Sequence, residues 1–155
     1  MAGSVASGDD GTVPDDPGLD PSGLTLVDRL ALTDLAGLYA SLVDARDFAA
    51  LGGLFTDDAV LVTTAGQRRG RDEILDAMRG LERYESTFHV VGQTRHWREG
   101  TATFGETACV AHHWRARDGV TRDHVMFIRY HDTFARGARW RFARRELEVV
   151  RTQDR

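Results

Sequence analysis

Histidines and acidic residues are the side chains of this sequence best suited to chemistry. The six histidines all lie in the second half of the chain, at His89, His96, His112, His113, His124 and His131. An imidazole changes its charge near neutral pH, so it can act as a general base or a general acid. A carboxylate that binds the second ring N–H fixes the tautomer and stabilises the imidazolium formed during proton abstraction. The first question is therefore which helices and strands place a histidine within hydrogen-bonding distance of a carboxylate.

Several other kinds of chemistry are not supported by the sequence. His112 and His113 are adjacent and face opposite sides of a strand, His124 and His131 differ in parity, and no H-E-x-x-H pattern occurs. We therefore expect no metal site. No G-x-G-x-x-G, P-loop or G-x-S-x-G pattern occurs, and all 20 basic residues are arginines, which excludes a lysine Schiff base. We expect no cofactor.

Composition narrows the class of protein further. The formal charge of −4 and the pI near 5.8 argue against nucleic-acid binding. The single cysteine, Cys109, alternates with apolar neighbours and is interpreted as a buried, inert thiol. No apolar run approaches the roughly 20 residues of a membrane span, and the first residues do not resemble a secretory signal, so we expect a cytoplasmic protein. Arginine without lysine is typical of a GC-rich genome, such as an actinobacterial one.

The first 22 residues contain all three prolines and are rich in Gly, Asp and Ser. Too few apolar side chains occur there to offset the entropy of ordering the chain, so the sequence predicts a disordered acidic tail over residues 1–22. We expect one folded domain over residues 23–151 and a short C-terminal tail over residues 152–155, because a single domain commonly has about 100–150 residues.

Helical spacing is clearest from Thr25 to Asp44. Thr25 and Asp28 resemble a capping box. The apolar positions that recur on one face of this helix are Ala31, Leu35, Leu38 and Leu42. A second helix is predicted over residues 47–54 and a third from Gly70, with a hairpin of strands 59–63 and 67–69 between them.

After residue 85 the composition changes to four strand-like segments. They cover about residues 87–98, 101–116, 122–135 and 139–150, with glycine-containing turns between them. Strands of this length joined by tight turns predict a long, strongly bent antiparallel meander. The fold class is therefore α+β: a cone-shaped, barrel-like fold in which three helices from the N-terminal half close a pocket against the curved sheet.

Six phrases of the sequence carry a family resemblance. In chain order they are LYASLVDARDFAALGGLFTDDAVL, GRDEIL, STFHVVG, GETACVAHHW, RYHDTF and RWRFARRELE. Together they resemble the nuclear transport factor 2-like superfamily, and its SnoaL-like branch in particular, from residue 24 to residue 150. That superfamily contains dehydratases, dehydrochlorinases, ketosteroid isomerases, polyketide cyclases, epoxide hydrolases and non-catalytic binding modules, so fold alone does not choose the function.

The resemblance implies a catalytic pair. In the scytalone-dehydratase-like branch, an aspartate at the end of the first helix supports a histidine on the first long strand. Asp44 occupies the first position and His89 the second. The alternatives remain open from the residues alone, because Asp44 could instead cap the second helix and His89 could be a hydrogen-bonded core residue.

The same resemblance implies that a second pocket histidine lies at His112. His112 alternates with the more apolar side of its strand, while His113 points the other way, so we predict that His112 faces the pocket. Val43, Thr63, Phe127 and Arg129 depart from the branch pattern, which predicts a different substrate. Tyr39 and Tyr130 are candidate proton donors to an oxyanion, with packing as the alternative.

Other residues are expected to line the pocket or close the fold. The predicted ligand-contacting set, beyond the catalytic residues, is Tyr39, Tyr130, Trp97, Trp114, Phe88, Phe127 and Arg129. Asp132 and Arg145 stand in two of the family phrases, and the resemblance implies an ion pair or a fold-closing role for them rather than chemistry. The sequence thus predicts a cofactor-independent lyase or isomerase, of the dehydratase type, acting on an oxygenated aromatic or polyketide-like small molecule. An aldol-type polyketide cyclase and a non-catalytic binding module are the alternatives, and a homodimer, or a trimer, is expected.

Overall fold

The computed structural model describes residues 21–155, so the predicted acidic tail lies outside the described residues except for Pro21 and Ser22. The helices are α1 (Leu26–Asp44), α2 (Phe48–Gly52) and α3 (Arg71–Arg79), and a 3₁₀ turn follows at Gly80–Arg83. The strands are β1 (Phe55–Thr63), β2 (Gly66–Arg69), β3 (Ser86–Glu99), β4 (Ala102–Arg117), β5 (Val120–Arg136) and β6 (Trp140–Asp154). The predicted α+β order is confirmed. None of the described helices is long and apolar enough to cross a membrane.

Helix α1 begins where the sequence predicts but turns a different face to the core. Thr25 is the N-cap, and its side-chain oxygen accepts the Asp28 N–H at 3.1 Å, as the capping box requires. The predicted apolar stripe is partly wrong, because Leu38 is 47% exposed, whereas Tyr39 and Val43 are buried. The ring of Tyr39, one position after Leu38, is buried in the core because it fills the space between α1 and the sheet.

The six strands form one sheet in the order β2-β1-β6-β5-β4-β3. Strands β3 to β6 form the predicted antiparallel meander, and β1 pairs with β6 in parallel. The sheet is curved and does not close, so β2 and β3 are its edges. Strand β6 continues to Asp154, because Asp154 pairs with His124 of β5, and it therefore includes residues 152–154 that we expected to form a tail.

The register assigns the paired residues of β3, β4 and β5 to one of two faces of the sheet. Alternate residues of β4 are buried, from Thr103 through Cys109 and Ala111 to His113, and we call their side the inner face. The residues between them belong to the outer face, where Phe88 and Val90 of β3 are 57% and 47% exposed. Residues directly opposite each other in a ladder share a face, so the register fixes which side chains can meet.

The inner face encloses a buried ion pair. Arg145 of β6 donates Nε and Nη2 to the two carboxylate oxygens of Asp132 on β5, each at 2.8 Å, which confirms the predicted pair. The guanidinium also lies over the rings of Tyr39, Tyr130 and Phe142, 3.9–4.2 Å from their centroids. This bidentate pair within aromatic rings satisfies a charge that would otherwise be very costly to bury.

Candidate active site

Asp44 and His89 meet at the junction of α1 and β3. His89 Nδ1 lies 2.7 Å from Asp44 Oδ1, and the His89 backbone N–H donates to Asp44 Oδ2 at 2.8 Å. Because a carboxylate only accepts hydrogen bonds, Nδ1 carries a ring proton, and in the neutral imidazole the lone pair then lies on Nε2. The His89 side chain is 6% exposed, and its Nε2 bonds to none of the described residues. In its neutral form the His89 ring therefore presents Nε2 as a basic nitrogen that none of the described residues occupies.

The local chain explains why the Asp44 carboxylate is available. Asp44 is the last residue of α1, and Arg46 then adopts a left-handed conformation at φ 59° that turns the chain toward α2. The N-cap of α2 is Asp47, so the alternative in which Asp44 caps this helix is wrong. Since β3 is an edge strand, its outward N–H groups have no strand partner, and the one at His89 binds Asp44 instead.

Two further residues hold this pair, and sequence reasoning did not identify either. Thr87 Oγ1 donates to Asp44 Oδ1 at 2.8 Å and accepts from Arg46 Nη1 at 2.8 Å. Arg46 also donates to the carbonyls of Val43 and Leu81. A negative charge at the C-terminal end of a helix is unfavourable because of the helix dipole. Each hydrogen bond to a carboxylate contributes about 1.5–3 kcal/mol, so the bonds that Asp44 accepts offset this unfavourable interaction. Thr87 lies two residues before His89, a spacing that places both on one face of a strand.

His113, and not His112, lies beside His89 on the inner face, so the structure differs from the prediction that His112 faces inward. His112 pairs directly with the exposed Phe88, so it lies on the outer face, where its Nδ1 is 2.8 Å from Asp123 Oδ2. His113 lies on the inner face, and its ring is 5.8 Å from that of His89, centroid to centroid. The apolar character of the His112 side suggested burial, but this side of the sheet is the exposed one.

The His113 imidazole is held neutral. Burial lowers the pKa of His113 to about 4. The hydrogen bond from the ring to the His124 carbonyl raises this pKa, but its effect is smaller than that of burial. Nδ1 lies 3.2 Å from that carbonyl oxygen and must carry the proton, since a carbonyl only accepts. The Nε2 atom of His113 is thus a hydrogen-bond acceptor at any pH well above 4, and it suits a hydroxyl group or a water.

Neutral burial of His113 predicts an acid-sensitive contribution to stability. The ordinary imidazole pKa near 6.5 applies to the unfolded chain, so between about pH 6.5 and pH 4 the unfolded state binds the proton and the native state does not. The free energy of unfolding should therefore fall by roughly 3 kcal/mol over that window from this residue. Urea unfolding at several pH values measures it. His113→Gln should flatten the slope, His131→Gln should not, and equal slopes in all three proteins would contradict the assignment.

Five residues predicted to contact a ligand lie on the outer face instead. The register places Phe88, Trp97 and Trp114 there, opposite His112, Phe104 and Ser86 respectively. Phe127 and Arg129 also point outward, and Arg129 lies 3.4 Å from Glu106. The aromatic and charged character of these residues suggested a pocket. In the structure these side chains form the outer surface of an open sheet, on the side opposite to His113.

Tyr39 and Tyr130 lie on the inner side but in the packed core. They are 4% and 3% exposed, and their rings are 6.0 Å apart. Burial raises the pKa of both phenols, so both remain protonated. The Tyr39 hydroxyl contacts Met78 Sδ at 3.9 Å. Both rings pack against Arg145, which is the packing alternative left open by the sequence. Cys109 is buried, and burial raises the pKa of its thiol to about 11, as expected for an inert residue.

The described part of the chain has an open cleft beside helix α1. This cleft, of about 830 Å³, lies between α1 and β3 and reaches Val91, the next inner-face residue after His89. His89 and Asp44 do not line this cleft. Both imidazoles are largely enclosed, since the His89 side chain is 6% exposed and His113 is 5% exposed. Within these residues no three His, Cys, Asp or Glu side chains are grouped as metal ligands.

Known proteins share this architecture. Residues 24–146 match the profile of the SnoaL-like domain family. A candidate scytalone dehydratase from Novosphingobium aromaticivorans superposes with a TM-score of 0.75 at 22% identity, over 83% of this chain and 87% of the other. Hexachlorocyclohexane dehydrochlorinase LinA type 3 from Novosphingobium barchaimii gives 0.74 at 19%, over 83% and 90%. An NTF2-like protein with a cystatin-like fold, also from N. aromaticivorans, gives 0.66 at 26%, over 81% and 83%. No curated protein matches the sequence significantly.

Proposed function

Because the chain belongs to the SnoaL-like domain family, within the NTF2-like fold, we propose that it is a cofactor-independent lyase or isomerase of the dehydratase type. Its substrate is an oxygenated aromatic or polyketide-like small molecule. The single observation that carries the proposal is the Asp44–His89 pair, with Nδ1 bound to the carboxylate and Nε2 free. A similar structure is a dehydrochlorinase and another a candidate scytalone dehydratase; both names denote removal of a proton and a leaving group from neighbouring atoms.

His89 Nε2 abstracts the proton from the carbon next to a carbonyl group. The C–H electron pair forms the enolate double bond, and Asp44 stabilises the imidazolium through Nδ1–H. The enolate then re-forms the carbonyl and expels the β-hydroxyl group. The imidazolium returns its proton to the departing oxygen as water, so neutral His89 is regenerated. A positioned base of this kind contributes typically 10²- to 10⁴-fold to the rate.

His113 has a supporting role in this scheme. Its Nε2 only accepts, so it can hold the β-hydroxyl group by its proton while the C–O bond lengthens. Thr87 and Arg46 are positioning residues, because they reach the substrate only through Asp44. We therefore propose His89, Asp44 and His113 as the residues of the reaction, with His113 in the place predicted for His112.

A bicyclic β-hydroxy ketone tests the proposal. In 3-hydroxy-1-tetralone, loss of water gives 1-naphthol, which is aromatic and fluorescent. We expect the protein to accelerate formation of 1-naphthol over the protein-free reaction, with a mass loss of one water in the product. A rate equal to the protein-free rate, for this ketone and for open-chain β-hydroxy aryl ketones, would remove the dehydratase proposal. It would favour the binding module.

The same proton abstraction also supports the cyclase alternative. An enolate formed at His89 is a carbon nucleophile, and attack on a second carbonyl within the ligand would close a ring without loss of water. The product mass separates the two reactions, since aldol cyclisation leaves it unchanged. The geometry of the pair is identical for both.

Self-association is the remaining part of the proposal. The outer face exposes Phe88, Val90 and Val150, which are 57%, 47% and 58% accessible in the single chain. Apolar side chains grouped on an open sheet mark a surface that another protein covers. We propose that a second copy of this chain covers it in a homodimer, as the sequence predicts, with a trimer as the alternative.

A further inference from the structure

A row of three imidazoles crosses the inner face of the sheet. His89, His113 and His124 belong to β3, β4 and β5, and neighbouring rings are 5.8 Å and 6.2 Å apart between centroids. His124 pairs directly with His113 in the β4–β5 ladder and with Asp154 in the β5–β6 ladder. Its Nδ1 lies 2.6 Å from Asp154 Oδ1. The inner face therefore carries a second imidazole–carboxylate pair, His124–Asp154, beside His113.

The three rings share one tautomer in their neutral form. Each Nδ1 faces an oxygen that only accepts: the Asp44 carboxylate, the His124 carbonyl or the Asp154 carboxylate. Each Nε2 then carries a lone pair, and none bonds to any residue within the described range 21–155. Acceptor nitrogens on three neighbouring strands suit a ligand that presents several hydrogen-bond donors.

The row leads from the buried base to solvent. The His89 side chain is 6% exposed, whereas that of His124 is 36% and that of Asp154 is 80% exposed. The backbone beside the His124–Asp154 pair is held in place, because Asp123 and Arg155 exchange two N–H···O hydrogen bonds of 3.0 Å. A ligand whose reacting end lies at His89 and whose ring system follows the row would therefore place its far end at His124.

We propose that His124, held by Asp154, is a specificity-determining residue whose Nε2 accepts a hydrogen bond from a hydroxyl group at the far end of the ligand. The inference rests on the proposed function only in taking His89 as the reacting end. It narrows the substrate to ring systems with a hydroxyl group remote from the reacting carbon. A methoxy group at that position cannot donate, so it cannot replace the hydroxyl.

Binding of three naphthalenes of matched shape tests the proposal without turnover. The probes are 2,6-dihydroxynaphthalene, 6-methoxy-2-naphthol and 2,6-dimethoxynaphthalene, measured by isothermal titration calorimetry at pH 8. The wild-type protein should bind the diol about tenfold more tightly than the dimethoxy compound, since one net hydrogen bond is worth up to about tenfold in affinity. His124→Ala should lose most of this preference and leave the affinity for the dimethoxy compound unchanged.

His131→Ala is the matched control, because His131 is also a histidine bound to a carboxylate, at 2.8 Å from Glu148, but on the outer face. It should bind all three probes as the wild-type protein does. No measurable diol binding, equal affinities for diol and dimethoxy compound, or an unchanged preference in His124→Ala would each overturn the proposal. The 1-naphthol assay tests the proposed function separately. A preference for the diol in a protein that forms no 1-naphthol would contradict only the dehydratase proposal. Formation of 1-naphthol by a protein that shows no preference for the diol would contradict only the role of His124.

Discussion

Replacement of His89 by Gln should lower the rate of 1-naphthol formation by about 10² to 10⁴, because a positioned general base contributes a factor of that size. The amide of Gln keeps the polarity and the approximate volume of the imidazole but cannot take a proton at neutral pH. The ratio kcat/KM should fall mainly through kcat. The measurement is the initial rate of fluorescence increase, with circular dichroism to show that the fold is retained.

Replacement of Asp44 by Asn should have an effect of similar order for a different reason. The neutral amide no longer stabilises the imidazolium, and its NH₂ group can donate to Nδ1, which would leave the proton on Nε2 where the base is needed. His112→Gln is the matched control, because His112 is bound to Asp123 on the outer face. It should retain the wild-type rate within about twofold. A large loss in the control with none in Asp44→Asn would reverse the assignment of the two faces.

Loss of the Asp132 carboxylate should cost about 3–5 kcal/mol in the free energy of unfolding, because it leaves the Arg145 guanidinium buried without a counter-charge. The two side chains are 0% and 1% exposed, so water cannot replace the lost partner. Urea unfolding of Asp132→Ala measures the effect. Removal of both charges, in Asp132→Ala with Arg145→Met, should be less destabilising than the sum of the single substitutions.

The exposed pair Arg144–Glu146 is the control for this experiment. Its N···O distance is 2.7 Å, close to that of the buried pair, but both side chains are more than 40% exposed. Arg144→Ala should change the free energy of unfolding by less than about 1 kcal/mol, since exposed ion pairs contribute little. A comparable loss in Arg144→Ala and Asp132→Ala would show that burial does not determine the cost.

The order of the elements could be predicted because each signal is local. The Thr25 cap, the glycine-containing turns and the strand-like composition after residue 85 depend on neighbours within a few positions, and the structure has these elements nearly where expected. The Asp44–His89 pair, whose residues are 45 positions apart, came from the resemblance rather than from periodicity. The Arg145–Asp132 pair likewise followed from family phrases.

The faces of the strands could not be predicted, because alternation separates two faces without saying which one is inside. On β4 the more apolar side, with Phe104 and Val110, is the outer face, and the inner face carries Thr107 and His113. A buried charge and a polar site make the interior of this sheet unusually polar, while the outer face keeps apolar side chains. Hydrophobicity therefore favoured the wrong side for His112, and only the register corrects it.

Deuterium exchange into 1-tetralone tests proton abstraction by His89 most directly, because this ketone has an α-proton but no leaving group. In D₂O, the wild-type protein should incorporate deuterium at the carbon next to the carbonyl faster than buffer does, as followed by proton NMR. His89→Gln should reduce the exchange to the buffer rate, while His112→Gln should exchange as the wild-type protein does. Exchange at the wild-type rate in His89→Gln would show that the base is another residue.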